Sequence, residues 1–312
     1  MKAFLTRPLD RLAMRLGTPT VCITGKHGPA ADPVFPLALA DLDRHAALPL
    51  DFQLKPDGRF RFTSLRPSPW PENNSVPGRL VACPGNWSSR PTVILVHGWN
   101  GEYSYEYLFP YLGWRLRRAG INTAMMELPY HGRRKPRTPG AITNFISDDL
   151  ECMTEAVAQS VADLRSLLAW LAKAGSPAVG LWGISLGAWL AGLVASIDAL
   201  ARFVILLTPV PDMARAIREL PFCAPIRHCL PDRSTDLEGW MLNRHPPRTS
   251  KVLIVESVHD LFAPAETVEQ LWAAWGNPEI WRVPHGHISV LLSLPILERI
   301  VHWIPRHVGG IP

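Results

Sequence analysis

The sequence has little cysteine, five residues in 312. An odd count in a chain this long does not fit a disulfide framework and reads as reduced thiols in a cytoplasmic setting. Cys223 and Cys229 have no companion pair, so free thiols are expected there before a disulfide or a metal site. Charge is also sparse: 19% of residues, with a net charge of +5. No Lys/Arg block alternates with aromatics, which leaves nucleic-acid binding without its usual footprint. No apolar run reaches the ~18 residues that crossing a membrane takes. Repeats and low-complexity tracts are absent. The first residues, MKAFLTRPLDRLAMRLG, do not read as a signal peptide, because Arg7, Asp10, Arg11 and Arg15 interrupt any apolar stretch.

What is present is apolar residues, 47% of the chain, enough for a large core. From Pro91 onward strand and helix patterns alternate. PTVILVHG, INTAMMEL, AVGLWGI, RFVILLTP, KVLIVES and EIWRVP read as strands. SYEYLFPYLGWRLRRAG, a long segment ending at Gly175, SLGAWLAGLVASI, PAETVEQLWAAWG and ISVLLSLPILERIVHWI read as helices. This predicts an α/β fold with a mostly parallel central sheet, helices on both faces and a small cap insertion. Two earlier strands, near Phe60–Leu65 and Arg79–Cys83, are expected to enter the sheet antiparallel across the loop RPSPWPENNSVPG. The expected organisation is an N-terminal extension over residues 1–57, a core over 58–209 and 251–312, and the cap over 210–250. In the extension Leu5, Leu9, Leu12 and Leu16 recur at helical spacing with basic residues between them. Such a helix either docks on the body or makes peripheral contact with a membrane surface.

The stretch GLWGISLGAWLAG puts Ser185 between a buried strand and a small-residue helix, flanked by Gly183 and Gly187. A G-x-S-x-G there describes a sharp turn that lifts the hydroxyl clear of the sheet, with the helix N-terminus favouring developing negative charge. A serine nucleophile needs a base and an orienting acid. Asp260 stands just past the strand KVLIVES; Asp212 and Glu256 are rivals. The base is expected after the last strand, where His287 precedes a helix and follows Gly286, which lets the chain turn. Packing of Ile288 and Leu291 would hold it. His285 is the competing base or a supporting residue. The oxyanion donors are expected to be the backbone N–H groups of Leu186 and Trp99, with Gly98 permitting close approach and His97 bracing that loop. No cofactor or metal is required. A metallohydrolase built from His259, Asp260, His285 and His287 is the alternative chemistry.

Taken together, HGWNG at 97–101, ELPYHGRR at 127–134, GISLG at 183–187, the Asp260 loop and GHIS at 286–289 resemble the α/β-hydrolase superfamily. Within it, LPYHGRRKP with GISLG and GHIS is similar to the α/β hydrolase domain-containing protein 18 family. The resemblance implies catalytic roles for Ser185, Asp260 and His287, with Trp99 and Leu186 at the oxyanion hole. Ala188 departs from members that carry a third glycine or another small residue there. The expected function is a serine hydrolase of carboxylic esters, on a medium-chain or lipid ester given the many tryptophans and an apolar insertion. A thioesterase or acyltransferase variant, or a non-catalytic binding protein on the same fold, is the alternative. Arg133, Arg134, Lys135 and Arg137 form a solvated basic turn, a site-edge patch for anionic substrates, or a polar network holding the insertion.

Overall fold

The computed structural model describes residues 3–17, 21–23, 48–49, 51–138, 141, 143–230 and 239–308. The strands are β1 Gln53–Leu54, β2 Arg59–Thr63, β3 Ser75–Val81, β4 Thr92–Val96, β5 Asn122–Met126, β6 Val179–Ile184, β7 Ala201–Leu207, β8 Val252–Ser257 and β9 Glu279–Val283. They form one sheet in the order β1-β2-β3-β5-β4-β6-β7-β8-β9. The pairs β1–β2, β2–β3 and β3–β5 are antiparallel, and every later pair is parallel. Strands β4, β5, β6 and β8 are buried at every residue, as apolar strands covered on both faces must be. Strand β2, next to the edge, instead alternates, turning Phe60 and Phe62 inward against Phe52.

The helices are α1 Ala3–Gly17, α2 Pro71–Asn74, α3 Phe109–Arg118, α4 Leu150–Lys173, α5 Leu186–Ile197, α6 Met213–Glu219, α7 Ala265–Ala274 and α8 Leu294–Trp303. Helices α4, α5 and α7 cover one face of the sheet, and α3 and α8 cover the other. Asp149 caps α4 by accepting from Cys152 N, and Gly175 at φ +112° ends it.

The structure departs from the sequence reading in four places. Strand β3 begins at Ser75, inside what reads as a loop. Turn signals from Pro77 and Gly78 hide it, but β3 meets β5 only from Gly78, and a Cβ at Gly78 would strike the Phe60 ring. Strand β1 pairs with β2 ahead of residue 58, so the sheet begins within the expected extension. The C-terminal segment is not one helix. It is a 3₁₀ turn at Ser289–Leu292, α8 with Pro295 in its first turn, and another 3₁₀ turn at Ile304–Arg306. Proline cannot continue a preceding helix, so it restarts one. Fourth, α1 does dock on the body, one of the two expected outcomes, but through Thr6 and Asp10, both fully buried, and leaves Leu5, Leu12 and Leu16 exposed. The face carrying the leucine repeat is therefore not the docked face.

The segment 210–250 is described over 210–230 and 239–250. Asp212 caps α6, and a 3₁₀ stretch Pro221–Cys229 follows. Further on, Trp240 O accepts from Trp189 Nε1 of α5. Leu242 packs over Gly192, where any Cβ would meet it. Helix α1 packs against the 3₁₀ stretch and against Ser289–Leu292.

Candidate active site

Strand β6 ends at Ile184 and α5 begins at Leu186, with Ser185 between them at φ +55° and ψ −119°. A side chain held there costs about 1–3 kcal/mol and persists only when its surroundings over-determine it. Ser185 N donates to Leu207 O, and Ser185 O accepts from Ala188 N and Trp189 N. The flanking glycines supply space rather than unusual dihedrals. A Cβ on Gly183 would overlap the Gly187 carbonyl, and one on Gly187 would overlap the Val96 and His97 carbonyls. The Ser185 side chain makes no cap bond, and the N–H of Leu186, first in the helix, has no intrahelical acceptor by helix geometry.

Three strand ends bring the polar groups together. Asp260 follows β8, and its Oδ1 accepts from Phe262 N at 2.6 Å and Ala263 N at 3.1 Å. Its Oδ2 lies 2.7 Å from His287 Nδ1, and His287 Nε2 lies 2.8 Å from Ser185 Oγ. A carboxylate accepts, so Nδ1 carries the proton and Nε2 is free to accept from the serine hydroxyl. Burial alone would make this imidazole less basic. The charge and hydrogen bond of Asp260, and the charge of Asp10, outweigh burial and hold His287 above its ordinary pKa. Phe262 stacks on the ring at 4.4 Å.

The competing residues are engaged elsewhere. Asp212 Oδ1 accepts from Arg215 N. Glu256 is inside β8, paired with Arg282 at 3.1 Å. His285 is half-buried, its Nδ1 3.4 Å from Ser289 Oγ, and its carbonyl accepts from His259 N. His259 Nδ1 faces Thr6 Oγ1 at 3.0 Å. Among the described residues no group of three or more His, Cys, Asp or Glu side chains is arranged to hold a metal ion.

His97 is buried under the β4 loop. Its Nε2 accepts from Leu128 N at 3.0 Å, so Nδ1 is the donor to Gly98 O at 2.8 Å. Burial pushes its pKa down to about 4, which keeps it neutral. Gly98 passes Ser185 so closely that a Cβ would lie 3.2 Å from the serine Cβ. The Trp99 ring stacks on Phe222 at 4.8 Å, and Phe222 in turn meets Phe262 at 6.0 Å. An aromatic row thus runs from the β4 loop through the 210–250 segment to the imidazole.

Of the four basic residues in the loop after β5, only Arg134 is taken into the interior. Arg134 is fully buried, donating to Asp163 Oδ2 at 2.8 Å and to the carbonyls of Asn73 and Glu127. Arg133 pairs with Glu127, and Lys135 with Glu102. Arg137 is exposed. The network braces the segment after β5, not the 210–250 insertion.

Two residues that the sequence does not point to join the site. Thr208, at the end of β7, donates to Asp260 Oδ2 at 2.6 Å from a backbone at φ +47°. Its position past an apolar strand is the only local signal. Asp10 of α1 reaches the backbone of His287 from the other end of the chain.

A mostly parallel sheet, nine-stranded among the described residues, with a strained serine at a strand–helix junction is the architecture of an α/β hydrolase. Solved structures of that class superpose. Acetyl xylan esterase from Paenibacillus sp. R4 matches with a TM-score of 0.64 at 15% identity, over 93% of this chain and 98% of that one. Est1E from Butyrivibrio proteoclasticus, solved with ferulic acid, gives 0.58 at 16% identity, over 76% and 96%. Residues 57–226 match the alpha/beta hydrolase domain containing 18 family, and the chain belongs to that family. The uncharacterized protein Rv2627c of Mycobacterium tuberculosis (strain ATCC 25618 / H37Rv) is 32% identical over 219 residues, 66% of this chain and 52% of that protein. The chain therefore spans about half the length of that relative.

Proposed function

We propose that this chain hydrolyses carboxylic esters through an acyl-enzyme, with Ser185 as nucleophile, His287 as base and Asp260 as orienting acid. The observation that carries the reading is the single imidazole spanning Ser185 Oγ at 2.8 Å and Asp260 Oδ2 at 2.7 Å. Ser185 Oγ attacks the acyl carbon as His287 Nε2 takes its proton. The tetrahedral oxyanion is held by the N–H groups of Trp99 and Leu186. Collapse expels the alcohol, which leaves with the proton from Nε2. Water then adds to the acyl-enzyme, giving its proton to the same nitrogen, and the acid departs as Ser185 is reprotonated.

The aromatic row of Trp99, Phe222 and Phe262 supports an apolar acyl group, of medium chain or from a lipid. The outer face of α1 supports a lipid surface as the place where such esters are met. It exposes Leu5, Leu12 and Leu16 beside exposed Arg7, Arg11 and Arg15, a pattern suited to an anionic interface. No described helix is long and apolar enough to cross a membrane.

A fluorophosphonate should label the parent at Ser185, and a chain-length series of p-nitrophenyl esters should be turned over. Ser185→Ala should lower kcat by roughly 10⁴–10⁶ with the fold intact. Ester turnover by that variant within about tenfold of the parent ends the nucleophile assignment. Co-sedimentation with anionic vesicles tests the surface: Leu5→Asp with Leu12→Asp should abolish it, and equal binding by parent and variant rules the surface out.

A further inference from the structure

The N-terminal helix holds a carboxylate that ties the acid loop to the base loop. Asp10 is fully buried. Its Oδ2 accepts from Leu261 N at 3.2 Å, next to Asp260, and from His287 N at 2.9 Å. Its Oδ1 accepts from Ile288 N at 2.9 Å. These donors lie 251, 277 and 278 residues away in the chain. Two of them open the 3₁₀ turn Ser289–Leu292, where N–H groups lack partners within the turn. A carboxylate taking three N–H groups is among the stronger neutral-to-charged arrangements available to a loop.

Gly286 is explained by the same contact. Its φ is not positive, so the turn itself does not require glycine. A Cβ there would lie 2.8 Å from Asp10 Oδ2 and 2.9 Å from Oδ1. The glycine before His287 makes room for Asp10. What holds the His287 loop is this carboxylate together with buried Val290 and the bond from Gly286 N to Ser289 Oγ. Ile288 and Leu291, the residues expected to pack beneath the base, are only half-buried.

We propose that Asp10 is a positioning residue of the ester-hydrolase site: its carboxylate sets the His287 backbone against Ser185 and places a second negative charge beside the imidazole. The proposal rests on the triad reading above. Two carboxylates, Asp260 from the acid loop and Asp10 from α1, act on His287. Of the other ionisable neighbours, His259 rides on the acid loop and His285 on the base loop. Asp10 adds to the forces raising the proton affinity of His287, while burial pushes the Asp10 carboxyl itself up. Thr6, one turn earlier and bonded to His259, docks the same helix without touching His287. Docking and positioning are therefore separable.

The test uses the full chain and two readouts: fluorophosphonate labelling, and kcat and KM for a p-nitrophenyl ester across pH. Asp10→Asn should lower kcat by about ten- to a hundredfold, the scale set by a misplaced catalytic group, with KM changed by less than about threefold. Loss of the charge should move the rising limb of the kcat/KM profile to lower pH. Thr6→Ala should leave that limb where the parent has it. Gly286→Ala keeps the charge but pushes the carboxylate off the N–H groups, so kcat should fall with a smaller movement of the limb. A parent that takes no label overturns the hydrolase reading itself. A labelled parent whose Asp10→Asn variant keeps kcat within about twofold and an unmoved limb overturns the positioning role alone. Should Asp10→Asn not fold, Gly286→Ala decides: kcat within about twofold of the parent overturns the role, and a larger loss upholds it.

Discussion

Thr208 donates its hydroxyl to Asp260 Oδ2 at 2.6 Å, the same oxygen that faces His287 Nδ1. Thr208 Oγ1 is also 3.1 Å from that Nδ1, so the hydroxyl sits between the carboxylate and the imidazole. Thr208→Val keeps the branched side chain, and with it the strain of φ +47°, while deleting the hydroxyl. It should cost about 1.5–3 kcal/mol, the worth of a hydrogen bond to a charged group. Urea unfolding reads this, and an unchanged midpoint would show the bond contributes nothing.

The assignment of the base separates the two histidines after β9. His287→Ala should fall close to the Ser185→Ala background, because the serine then has no acceptor for its proton. His285→Ala should keep at least about a hundredth of parent kcat, since it acts through Ser289 and the His259 backbone. Steady-state ester hydrolysis ranks them, and the reverse order moves the base to His285.

The pH profile carries a defined sign. The proposed base catalysis needs neutral His287, whose pKa is raised by Asp260 against the opposing effect of burial. Activity should therefore rise with pH through a midpoint above the ordinary histidine value of about 6.5. The same shift favours the folded chain at pH below about 6.5, and that contribution is lost as pH climbs through the folded-state midpoint. A kcat/KM midpoint below the ordinary value contradicts the geometry of the Asp260–His287 pair.

Phe222 belongs to the 210–250 segment and touches both Trp99 and Phe262. Phe222→Ala should change the preference among p-nitrophenyl ester chain lengths more than it changes the rate of fluorophosphonate labelling. A flat shift across all chain lengths would remove this segment from the acyl path.

The local chemistry of the site was legible in the sequence for a physical reason. Gly183 is demanded by the Gly187 carbonyl within its own strand–turn–helix unit, and Gly187 and Gly98 by the close approach of that turn to the β4 loop. Buried strands announce themselves by apolar runs, and the loops after them carry Ser185, Asp260 and His287 in chain order. What stayed hidden depends on contacts between distant segments. The leucines of α1 repeat at helical spacing, yet the docked face is the polar one, because backbone N–H groups on two loops satisfy Asp10. Periodicity measures which residues share a face and is blind to which face a buried hydrogen bond selects. Thr208 looks like the end of an apolar strand until β8 is paired beside it, and Arg134 looks solvated until α4 brings Asp163 to it. Apolar patterning is enough to give the fold class, and the glycines beside Ser185 mark the elbow because no Cβ fits there. What braces the histidine emerges from the folded chain alone, because the three N–H groups on Asp10 meet it across more than 250 residues of chain.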